Sequence, residues 1–114
     1  MMEILDIDAG LEYAGGEAEF FIELARAFID DNPPSMEKLI SLEKEDSLKA
    51  ASYVHYYKGA ARQLAAKKLS SIGQDLEDIL RKKKEGSTEE LNSLFINCHK
   101  ETVEALKAAV KKLQ

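Results

Sequence analysis

The chain has 114 residues, 45% of them hydrophobic and 32% charged, with a formal net charge of −5 at pH 7. That length suits one domain with a real core, residues 1–114, rather than two, and the acidic balance argues against nucleic acid, whose phosphates call for a basic surface. A single cysteine, Cys98, excludes an internal disulfide and points to a reducing cytoplasm.

The opening "MMEILDIDAG" has no basic start ahead of an apolar run, so it is not a signal peptide. No apolar stretch nears the roughly 20 residues that cross a bilayer, and no membrane partner is expected. The doubled methionine Met1-Met2 and the compact ending favour a free-standing protein. Residues 6–16 read as a short turn or helix stopped by Gly15-Gly16. From about Glu17 to Asp31, Phe20, Leu24, Ala27 and Phe28 recur at helical spacing and predict an amphipathic helix. "DNPPS" breaks it, because a residue before proline is pushed out of the helical region. A helix opened by Pro33 or Pro34 then turns Met36, Leu39 and Ile40 inward and runs to about Glu45.

Asp46 or Ser47 is the expected N-cap of the next helix, which continues to about Leu64. A further helix over about 66–83 carries Leu69, Ile72, Leu76, Ile79 and Leu80 on one side. It ends in "RKKKEG", where cations suit a helix C-terminus and Gly86 suits the stop. Ser87 and Glu90 match a capping box for the last helix, which runs to about Leu113 with Leu91, Leu94, Phe95, Cys98, Ala105, Leu106 and Ala109 inward. Confining proline to Pro33-Pro34 and lacking tryptophan favour an all-helical chain. Short connections between amphipathic helices imply antiparallel neighbours and an up-and-down bundle.

The helix over 46–64 holds the candidate chemistry. At about 100° per residue, Ala50, Val54, Tyr57, Ala61 and Leu64 form its one continuous apolar stripe. His55 falls outside that stripe, with Lys58, Gly59 and Arg62 on its side. His55 is therefore expected to be at least partly exposed beside a cation. Gly59 costs a helix interior roughly 1 kcal/mol relative to alanine, and an exposed helix position has no steric need for it. Its presence suggests that something approaches the backbone closely there.

His55-Tyr56-Tyr57-Lys58-Gly59-Ala60-Ala61 resembles the H-x-x-K-G-[AS] signature of histidine-containing phosphotransfer (HPt) domains. The resemblance runs over about residues 7–80, through the "GG" before the first long helix, the proline break, the acidic start of the histidine helix and the "LE" at Leu76-Glu77. It implies an all-α, up-and-down antiparallel four-helix bundle with a short extra N-terminal helix, the last helix being its fourth member. It also implies a phosphocarrier without kinase activity, which exchanges a phosphoryl group between His55 and an aspartate of a response-regulator receiver domain, or receives it from a sensor histidine kinase. Lys58 then balances phosphoryl charge as a mobile point cation, and Gly59 leaves room for the receiver. Glu77 either orients the imidazole through its other nitrogen or is a solvated carboxylate. Metal and acidic groups come from the partner, and the module is expected to be monomeric with no cofactor of its own. The rival reading is an unphosphorylated regulator that binds a kinase or receiver; a hydrolase using His55 as base lacks a nucleophile or oxyanion donor.

Two letters depart from the family pattern. Tyr57 stands where leucine is usual and its hydroxyl needs a partner; Ala65 stands where glycine is common, so the turn after the histidine helix is expected to differ. Both are candidates for partner specificity. Cys98-His99 cannot pair as nucleophile and base, since adjacent helical residues point about 100° apart. Cys98 is read as a small core residue and His99 as a surface one. The "RKKK" run at 81–84 is read as a solvated helix end, and Phe20, Phe21 and Phe28 as core, with one exposed member available for docking. No glycine-rich phosphate loop is present, which argues against ATP binding.

Overall fold

Six helices make up the computed structural model, which describes residues 2–114 and leaves Met1, half of the paired methionines, outside the described residues. They are α1 (Ile7–Tyr13), α2 (Ala18–Asp30), α3 (Met36–Glu45), α4 (Ser47–Gln63), α5 (Lys67–Leu80) and α6 (Glu89–Leu113). No strand occurs among the described residues, and none of these helices is long and apolar enough to cross a membrane.

The helix boundaries have local causes. Side-chain oxygens of Asp6, Ser35 and Asp46 accept from the backbone N–H groups of Ala9, Lys38 and Leu48, capping α1, α3 and α4. Three helices end in the same left-handed turn. Gly15 (φ 72°), Ala65 (φ 59°) and Lys82 (φ 64°) each follow a C-cap, and the next residue's N–H reaches back to the carbonyl of Leu11, Ala61 or Asp78. The turn at Lys82 explains why α5 stops at Leu80 rather than near residue 83. Gly86 is not the stop; it lies further along the loop.

The start of α6 also departs from expectation. Ser87 Oγ accepts only a long 3.4 Å bond from Glu89 N–H, and the helix begins two residues after Ser87. Thr88 instead donates its hydroxyl to Glu43 Oε2 at 2.7 Å, and Asn92 Nδ2 donates to Glu43 Oε1 at 3.4 Å. These bonds clip α6 to α3.

In the packing, α4 lies against α5 and α3, while α6 lies against α2, α5 and α3. The stripe expected of α4 is buried along its whole length, from Ala50 to Leu64. The inward face of α2 is set one residue round from the expected one. Phe21, Ala25 and Phe28 are buried, whereas Phe20 is 46% exposed and Ala27 is exposed. Ile40 and Leu94 also face outward, because α3 enters the core through Leu39 and α6 through Phe95 and Cys98. The short α1 seats on the end of α4: a Cβ on Gly10 would lie 2.6 Å from Phe21 and 2.9 Å from the Leu64 carbonyl, and Asp6 N–H donates to Ala65 O at 3.0 Å.

Candidate functional site

His55 sits in the middle of α4 with its side chain 60% exposed. Its Nδ1 lies 3.1 Å from Glu77 Oε1 and 3.2 Å from Oε2, across on α5. A carboxylate only accepts, so in the neutral ring the proton sits on Nδ1 and the lone pair on Nε2. Nε2 makes no hydrogen bond among the described residues and points its lone pair away from the anchor. Glu77 is only 6% exposed, which removes the solvated-carboxylate alternative.

Glu77 gathers two cations as well. Lys58 Nζ lies 2.8 Å from Oε1, and Arg81 Nε lies 2.8 Å from Oε2. Burial alone would raise the Glu77 pKa; the hydrogen bonds from Lys58, Arg81 and His55 outweigh it and hold the carboxyl down at about 2. The carboxylate thus stays ionised behind the imidazole throughout the physiological range.

Lys58 differs from the mobile cation expected of it. It is 7% exposed, and its ammonium also donates to Gln74 Oε1 at 2.9 Å. Gln74 is fixed in turn by donating from Nε2 to Asp78 Oδ1 at 2.8 Å. The cause is the close approach of α5. Gly73 faces the Lys58 stem, and a Cβ there would come within 3.0 Å of Lys58 Cβ and 3.3 Å of Phe95 Cε1. Without that side chain α5 lies directly on α4 and covers the flank that a single-helix projection leaves open. Arg81, Gln74 and Gly73 were missed by sequence reasoning. Arg81 had a signal in its i,i+4 spacing from Glu77, but it was absorbed into the "RKKK" run, which is therefore not simply a solvated end.

On the outer side of α4 the expected gap exists. A Cβ at Gly59 would meet nothing within 4 Å, so no internal packing demands glycine there. Arg62 is exposed one turn further on.

The two odd letters have structural answers. Tyr57 is 7% exposed and its hydroxyl donates to Asn32 O at 2.8 Å, in the proline break. Burial pushes its hydroxyl pKa well above the ordinary tyrosine value, so it remains a donor. Ser35 N–H donates to Tyr53 Oη at 2.9 Å, and Tyr56 donates to Asp31 Oδ2 at 2.6 Å. Three tyrosines of the histidine helix thereby hold the α2–α3 break. Ala65 adopts the left-handed conformation that glycine would, so the turn is preserved and its methyl is buried at 3% exposure. Neither Tyr57 nor Ala65 is available to contact a partner.

His99 is not a surface residue. It is 3% exposed, stacked on Phe28 with ring centroids 4.9 Å apart and edge-on to Tyr57 at 5.5 Å. Burial lowers its pKa to about 4, against a smaller upward pull from Asp31. The misplacement follows from the width of the buried face of α6, which adds Asn92, His99 and Thr102 to the predicted Phe95, Cys98, Leu106 and Ala109. Cys98 is in the core as expected, and burial pushes its thiol pKa up.

No curated protein and no solved structure matches the chain at a significant level. A family model described as "Hpt domain" matches residues 23–114, most of the chain and all of the helices that carry His55, Glu77 and their partners. With that match added to the motif and to the helical architecture around it, the chain belongs to the Hpt domain family, the phosphotransfer modules of two-component signalling.

Proposed function

We propose that this protein is an active phosphocarrier in which His55 Nε2 accepts a phosphoryl group from the aspartyl phosphate of a receiver domain, or from a sensor kinase, and passes it on. The observation that carries this reading is an exposed imidazole fixed through Nδ1 on a buried, ionised Glu77, with Nε2 unbonded and facing outward. In the forward step the Nε2 lone pair attacks phosphorus, a P–N bond forms, and the P–O bond to the donor aspartate breaks. The electrons leave on that aspartate as carboxylate. The ring becomes cationic with its proton still on Nδ1, and Glu77 is placed to balance that charge. Attack by a second receiver's aspartate reverses each change. The partner supplies the metal and acidic groups.

Lys58 and Arg81 act in this reading by holding Glu77 rather than by free contact with solvent, and Gly59 leaves space for the receiver. We read the architecture as a four-helix bundle of α4, α5, α6 and the broken α2–α3 pair, with α1 as the extra N-terminal helix. The helix contacts and short connections support it. One domain, acting as a monomer in the cytoplasm, completes the proposal.

Incubation with a phosphorylated receiver or a cognate kinase should yield an acid-labile phosphoprotein, and His55→Gln should abolish it. Labelling that survives this substitution would overturn the assignment. Tight partner binding with no labelling of the wild type would instead favour the unphosphorylated regulator.

A further inference from the structure

Tyr56 stands one residue from His55 and is 58% exposed, yet it is not free to swing. Its hydroxyl donates to Asp31 Oδ2 at 2.6 Å, and its ring meets that of Tyr57 edge-on, with centroids 5.0 Å apart at 89°. Asp31 is the C-cap residue of α2, so the ring bridges from the histidine helix to the end of α2. It borders a cavity of about 140 Å³ lined also by Leu24, Ala27, Ala60 and the buried Phe28 and His99. Gly59 leaves the adjoining turn of α4 bare.

Tyr56, bonded to Asp31, is the exposed member of the three tyrosines that contact the break. The α2–α3 break is already held by Tyr57 on Asn32 O and by Ser35 N–H on Tyr53 Oη. An exposed aromatic fixed in advance has little rotamer freedom left to lose on association, and rigid aromatic anchors dominate interface energetics. At about 100° per residue Tyr56 and Gly59 fall on the same side of His55, so a partner that reaches Nε2 across Gly59 approaches on the side of this ring.

We propose that Tyr56, fixed by Asp31, is a specificity-determining residue for phosphoryl transfer, selecting receiver domains that present an apolar surface to its ring and to the adjoining Leu24, Ala27 and Ala60. The proposal rests on the reading of His55 as phosphoryl acceptor. Its occupant is the receiver itself, because the ring adjoins the histidine that the receiver's aspartate must meet.

The test compares two donors for His55. One is a panel of purified receiver domains charged with acetyl phosphate; the other is phosphoramidate, a small donor that requires no docking. Tyr56→Ala should raise the KM for receivers that serve the wild type on the order of tenfold, with kcat and phosphoramidate labelling near wild-type values. Tyr56→Phe and Asp31→Ala should each give a smaller rise, roughly twofold to threefold, that does not add in the double variant. Asp31→Asn, which keeps an acceptor oxygen, should restore the wild-type KM. An unchanged KM in Tyr56→Ala overturns the proposal, as does a parallel fall in phosphoramidate labelling, which would mean a general structural effect. Failure of phosphoramidate to label the wild type at His55 strikes the phosphocarrier reading instead.

Discussion

His99 should make the bundle acid-sensitive in a pH range where its carboxylates do not. In the folded chain the ring is buried between Phe28 and Tyr57, and its pKa falls to about 4 from the ordinary 6.5. As pH drops below 6.5 the unfolded chain takes up a proton that the folded chain refuses until pH nears 4. The unfolded state binds more protons across that window, so stability declines as pH falls through it. At about 1.36 kcal/mol per pKa unit, the full loss is about 3 kcal/mol, of which about 2 kcal/mol is reached by pH 5. Glu77 contributes lower down, since its ion pairs are lost only as pH falls from about 4.5 toward 2. Urea unfolding of wild type and His99→Phe at pH 7 and pH 5 checks this. Phenylalanine keeps the stack on Phe28 and has no proton to take up, so the variant should hold its stability where the wild type loses about 2 kcal/mol. A wild type equally stable at both pH values, or a variant that shows the same loss, would refute the reasoning.

Glu77→Gln leaves the Lys58 ammonium buried beside a neutral amide and should cost about 3 kcal/mol at pH 7, measured by urea unfolding, with the deficit shrinking as the wild-type carboxyl protonates in strong acid. Gly59→Leu should raise stability by roughly 0.5–1 kcal/mol through helix propensity, because the added side chain meets open space. The same variant should slow transfer from receiver domains while phosphoramidate labelling is unaffected; normal receiver transfer would contradict the close-approach argument. Ala65→Gly relieves the left-handed strain at φ 59° but gives up a buried methyl and adds chain entropy, so the terms offset and thermal unfolding should show a stability change within about 0.5 kcal/mol.

What could be read in advance followed the range of each interaction. Caps at Asp46, the proline break and the apolar stripe of α4 are local, fixed by residues within a turn or two of one another, and they appear where the spacing put them. His55 is exposed and Gly59 open for the same reason: both depend on a single helix facing solvent. The helix order likewise came from caps, breakers and apolar spacing, and the family signature added Leu76-Glu77, which pointed to the residue that meets the imidazole. The errors arose where a second helix decides. Lys58 projects to the histidine side of an isolated α4, but α5 covers it. His99 looks polar and terminal to its stripe, but Phe28 and Tyr57 close over it from two other helices. Phe20 and Phe21 are adjacent, and only the packing of α2 against its neighbours, α1 among them, selects Phe21 for the core.

The two glycines near the site show how one helix can serve opposite demands on its two flanks. At Gly73 a side chain is missing because α5 must lie close: a methyl there would press on the Lys58 stem and on Phe95. That closeness brings Glu77 within reach of Nδ1 and Lys58 within reach of Glu77, so the charge behind the imidazole depends on tight packing. At Gly59 a side chain is missing where no neighbour in the fold comes within 4 Å of a Cβ, and the proposed reading assigns that space to a receiver. The first glycine can be exchanged only if Lys58 and Phe95 give way, so Gly73→Val should disturb both folding and His55. The second can be exchanged without any rearrangement of the bundle. Packing that holds the His55 ring from inside, and a vacancy that in the proposed reading admits a receiver from outside, are thus separable by substitution.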